Sequence, residues 1–184
     1  SPASPGTKMI EVKAHAFYVR SAVLSAFYFV EAYLNGLAFN FTLHCRPDLS
    51  QDKQDKLLES DSKTGRERWL SLRSKMLEYP KIILDRRDPP LMEQNCQEMK
   101  LLIEEAKELR DSIVHQSPRP EVGSDDFGKL KQFSSIQLAH ATRIVDATVS
   151  YVMKLNQLLG RHGINLSWLK ERGADGKFPQ EAFE

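Results

Sequence analysis

Several features by which a sequence usually announces its chemistry are scarce or missing from this 184-residue chain. Cysteine is rare: Cys45 and Cys96 are the only two, too few for a disulfide framework and not placed as a C-x-x-C pair, so a reduced, cytoplasmic setting is expected. An excess of one charge is also missing. With 26 basic against 25 acidic residues and a formal charge of +1, no global field draws the chain to nucleic acid, and any such contact needs a local patch. The leading "SPASPGTK" lacks the basic region and apolar core of a signal peptide, and residues 1–8 read as a flexible lead. No segment alternates with a strand period, and no repeat is visible. The histidines His15, His44, His115, His140 and His162 make no metal-binding spacing with each other or with the cysteines, so neither a metal nor a cofactor is expected. The segment "GSDDFGK" at 123–129 approximates a phosphate-binding loop, but Leu130 stands where a hydroxyl is needed and two aspartates would repel phosphate.

What is present is helical spacing. A first helix is predicted from Met9 to Phe41, closed by Pro47, followed by a short helix and a solvated turn around Gly65. A second long pattern runs from Arg66 to Tyr79 and meets Pro80. A third spans Leu91 to Val114, with Pro89 and Pro90 placed to open it, and a last one runs from Gly128 to Leu159 and stops at Gly160. The expected architecture is an all-α, up-and-down bundle of four to five helices over residues 9–160, with 161–184 as a tail holding at most a short helix. The run from Ala22 to Phe39 has the length of a membrane span but contains Glu31 and Asn35, which favours a buried helix of a soluble bundle over a membrane segment. Because that run is apolar nearly all round, one set of neighbours would not cover it, and a homodimer is expected.

One position breaks the pattern. Met92, Cys96, Met99, Ile103, Ala106, Arg110 and Ile113 are spaced as the seam of a packed helix, and Arg110 is the polar member. A guanidinium on such a seam must reach solvent or meet an anion. The structural explanation is an ion pair, with Glu31 as the expected partner inside the chain; alternatively Lys13, Arg20, Glu31 and Asn35 mark a narrow wet line on the first helix. Five residues later comes His115, which an unbroken helix would turn about 140° away from Arg110. Pro118 favours an early end to the helix and lets the imidazole swing back. Histidine and arginine around one phosphodiester suffice for metal-free RNA cleavage, the first moving protons and the second stabilising growing charge.

The stretch "LRDSIVHQSP" resembles the R-x-x-x-x-H signature of the HEPN superfamily (higher eukaryotes and prokaryotes nucleotide-binding domain), with Arg110, a polar Asp111 and His115 in register. The motif sits at the end of a penultimate long helix before a proline-containing loop, and the first and last helices are similar to the flanking helices of that family. The resemblance implies an all-helical domain that dimerises so that two motifs line one cleft. It further implies a metal-independent endoribonuclease leaving a 2′,3′-cyclic phosphate, in toxin or phage-defence biology. Arg110 and His115 would be the catalytic pair, Asp111 an orienting group, and Glu31 and Asn35 supporting polar residues. Arg119, Lys129 and Lys131 would supply RNA-phosphate contacts. Any antitoxin would be a separate protein. The alternative is a non-catalytic helical module of the same fold that binds nucleotide, RNA or protein.

Overall fold

A computed structural model describes residues 5–45, 49–114 and 128–166, with side chains described for residues 13–44 of the first segment and from 131 in the last. It is an all-α bundle. Helix α1 spans Pro5–Cys45, α2 Gln51–Leu57 and α3 Leu72–Ile83. Helices α4 (Gln97–Leu101) and α5 (Lys107–Val114) are joined without a break by a π turn, Leu102–Ala106. Helix α6 (Gly128–Ser135) precedes α7 (Leu138–Leu159), which ends in a 3₁₀ turn, Gly160–His162. Counting the α4–α5 rod once gives six helices among the described residues.

Helix α1 is the axis of the bundle and packs on α7 most extensively, then on α3, α5 and α2. Val23, Val30, Leu34, Leu37 and Ala38 of α1 are buried to within 1% of full coverage, as are Tyr151, Val152 and Leu155 of α7. Met76 and Tyr79 of α3 and Met99, Leu102 and Ala106 of the α4–α5 rod close the same core. The Lys13–His44 stretch is long and apolar enough to cross a bilayer by length and composition alone. In this fold the stretch is partly buried against α7, α3, α5 and α2.

The boundaries depart from expectation where local bonds or burial outweigh the pattern. The segment predicted to open a helix at Arg66 instead forms a two-stranded ribbon, β1 (Ser60–Asp61) against β2 (Arg66–Glu67). Gly65 takes the turn at φ 68°, a backbone region that glycine enters without strain. Helix α3 then begins after Ser71, whose hydroxyl accepts the Ser74 N–H at 3.2 Å, a standard N-terminal cap. It also runs through Pro80 to Ile83 because Pro80, Ile82 and Ile83 are all buried, and that burial offsets the lost backbone bond. Pro89 and Pro90 do not open a helix: the Asn95 side chain takes the Met92 N–H at 2.7 Å and delays α4 to Gln97. The predicted last helix divides at 136–137, where the Gln137 N–H donates to His140 Nδ1 at 3.0 Å and restarts the helix as α7. Gly160 closes it at φ 54°, as expected of a C-terminal glycine.

Candidate functional site

The buried line of the α4–α5 rod runs through Met99, Leu102, Ala106, Leu109 and Ser112, and Arg110 lies beside this seam rather than on it, its side chain 25% exposed. The expected seam ran instead through Ile103 and Arg110, which are half-buried on the neighbouring line of the helix.

The Arg110 guanidinium rests over the ring of Phe27 in α1 at 4.7 Å, an arrangement that lowers the cost of a partly desolvated cation. One of its terminal nitrogens meets Asp111 at 2.9 Å. Its Nε is buried with no hydrogen-bond partner. Asp111 is shared, since Lys107 reaches the other carboxylate oxygen at 3.2 Å. Two helical turns before Phe27, Arg20 repeats the arrangement: its guanidinium lies 3.6 Å over the Phe133 ring of α6, one terminal nitrogen donates to the Phe133 carbonyl at 3.4 Å, and its Nε is likewise buried without a partner. Arg20 was read from the sequence only as part of a wet line on α1. Its pairing with α6 is a long-range contact that no local spacing reveals.

Glu31, expected as the partner of Arg110, binds elsewhere. Its carboxylate accepts from Lys75 of α3 at 3.1 Å, while Asn35 accepts from the same ammonium at 3.0 Å and Glu59 pairs with it at 2.9 Å. The Lys75 side chain is 1% exposed. Glu31 and Asn35 of α1 therefore belong to an ion network around the buried Lys75 of α3. Glu59, at φ 49°, also accepts the Leu70 N–H at 2.8 Å, so the network anchors the ribbon to the bundle. Lys75 carries the same sequence signal as Arg110: it lies on the Leu72–Lys75–Tyr79 line of α3, a cation on an apolar stripe. Tyr79, beside this network, is buried with its hydroxyl unpaired. Burial, with Glu59 and Glu31 nearby, raises its phenol well above the ordinary value.

His115 and Arg119 lie outside the described residues, as does the Lys129 side chain, while Lys131 is exposed on α6. Among the described histidines, His140 caps α7 and His162 accepts from Arg161 Nε at 3.3 Å. No group of three His, Cys, Asp or Glu side chains that could hold a metal ion occurs among the described residues. Cys96 is buried and free, and burial pushes its thiol above the usual range. No protein-family model, curated protein or solved structure matches this chain.

Proposed function

We propose that this protein is a dimeric, metal-independent endoribonuclease of HEPN type, cytoplasmic and used in toxin or defence biology, with Arg110 and His115 at the reacting phosphate. The observation that carries this reading is the Arg110 guanidinium itself, 25% exposed on its aromatic support in Phe27 with the motif's Asp111 beside it at 2.9 Å. In the reaction, His115 accepts the 2′-hydroxyl proton as O2′ bonds to phosphorus. The P–O5′ bond breaks, a second His115 from the other protomer protonates O5′, and the product is a 2′,3′-cyclic phosphate. Arg110, with Arg20 behind it, stabilises the charge that grows on the phosphoryl oxygens. Arg119, Lys129 and Lys131 hold neighbouring phosphates.

Exposed side chains on α1 support the dimer. Phe17, Tyr28 and Phe39 are all exposed and follow one another at intervals of 11 residues, about three turns each. A second α1 laid antiparallel about Tyr28 would set Phe17 of one copy against Phe39 of the other, as a two-fold interface requires. The alternative, a binding module without catalysis, is favoured by one fact: Glu31 and Asn35 are committed to Lys75 and leave Asp111 as the carboxylate at the motif.

The test is incubation of mixed RNA with the protein in EDTA, scoring cyclic-phosphate ends. Wild type should cut, and Arg110→Ala and His115→Ala should each lose about 100-fold or more. Equal inertness of all three, with folding and dimerisation intact, would refute the enzyme reading and leave the module.

A further inference from the structure

The end of the bundle away from Arg110 holds a second, unrelated arrangement. Phe41 lies 14 residues beyond Phe27 on α1, about 21 Å further along the helix axis. Two cavities meet there, of about 400 Å³ and about 320 Å³, and both are lined by Phe41, Arg161 and His162. The larger also takes in Asn40 and His44; the smaller continues over the apolar Leu49, Ile82 and Ile83 to Lys53 and Asp85 at its rim.

Three properties distinguish this cleft from a chance depression. Its wall is held rigidly: Asn156 of α7 accepts the Ile164 N–H at 2.8 Å and donates to the Ile164 carbonyl at 3.0 Å, while the Tyr33 hydroxyl donates to the same Asn156 oxygen at 3.0 Å. The chain comes so close that a Cβ at Gly163 would lie 2.6 Å from Asn156 Oδ1, so only glycine fits. Second, its charge is not neutralised. Lys53 is paired to Asp85 at 2.7 Å, but among the described residues Arg161 bonds no carboxylate, and its Nε donates to the imidazole of His162. Third, the two cavities share one wall: Phe41, Arg161 and His162 line both, the Phe41 ring is set edge-on to His162 at 5.2 Å, and the aliphatic Leu49, Ile82 and Ile83 line only the smaller.

We propose that this cleft binds a small aromatic phosphate monoester. The phosphate sits against Arg161, His162 and His44, and the ring lies in the adjoining cavity over Phe41, Ile82 and Ile83. Arginine offers a planar fork to phosphate oxygens, imidazole N–H groups add donors, and Asn40 offers an amide for a substituent. The competing explanation is that Arg161 and His162 only complement the carbonyl ends of α1, α3 and α7, which finish near this cleft.

Titration calorimetry of the full chain with phenyl phosphate, inorganic phosphate and phenol decides between them. Phenyl phosphate should bind with a Kd below about 1 mM and at least about ten-fold more tightly than inorganic phosphate, because the ring is buried as well. Arg161→Gln should weaken it by about ten-fold or more, and Arg110→Ala should leave it unchanged, which separates this site from the proposed RNA site. No binding at that concentration, equal binding of inorganic phosphate, loss of binding in Arg110→Ala, or a lowered melting temperature in Arg161→Gln with unaltered binding would each overturn the proposal.

Discussion

Replacing Lys75 with methionine is the sharpest test of how the fold is held. The ammonium is 1% exposed and lies 3.1 Å from Glu31 and 2.9 Å from Glu59. Methionine matches the aliphatic stem, so the change removes the charge while keeping most of the packing. Two carboxylates would then face each other without a counter-ion. Stranding one partner of a fully buried pair costs about 3 to 5 kcal/mol. Here the carboxylates retain 32% and 21% exposure and can rehydrate in part, which places the cost near the lower end, about 3 kcal/mol. For a domain of this size that lowers the melting temperature by about 6 to 12 °C. Adding Glu31→Gln and Glu59→Gln to the methionine variant should recover a large part of the loss, because the stranded charge goes with them. Calorimetry and urea unfolding at neutral pH measure both. A single-variant cost under about 1 kcal/mol, or no recovery in the triple variant, would refute the ion network as a determinant of stability.

Further expectations follow from other parts of the structure. The hydrogen bond from Lys154 holds the Glu98 carboxyl below its usual range, with burial opposing and the Lys154 charge adding to the effect; its stabilisation is present above the unfolded value and disappears as pH falls through the lowered folded value. Glu98→Gln should therefore unfold at lower urea than wild type at pH 7, and the two midpoints should converge as pH falls below the lowered folded value of Glu98. Cys96, buried and with its thiol pushed upward, should react with a thiol reagent only slowly in the native protein and rapidly in denaturant, as an absorbance time course would record. Gly160→Ala should cost about 1 to 2 kcal/mol in chemical unfolding because φ is 54° there, although no neighbouring atom would clash with the added methyl.

The resemblance at Arg110 drew attention to the helix that carries it, and the all-α class was readable from helical spacing over most of the chain. The same spacing misplaced the register of that helix. Leu102 and Ile103 are both apolar, so a count of apolar residues cannot tell which of the two lies on the buried line. The structural partner expected for Arg110 also proved to belong to Lys75, since the choice between two cations for one carboxylate depends on which helices lie side by side.

By itself the sequence determined the class of fold, the glycine that ends α7, and the long apolar helix that becomes the axis. These depend on neighbours three or four residues apart, within one turn. Tertiary structure alone decided that Lys75 gathers Glu31, Asn35 and Glu59, that Arg20 and Arg110 keep unused donors over aromatic rings, and that Phe41 meets Arg161 and His162 across more than a hundred residues of chain. Such meetings arise because burying the apolar faces of separate helices fixes their relative positions, and the polar side chains must then bond whatever that packing brings within reach.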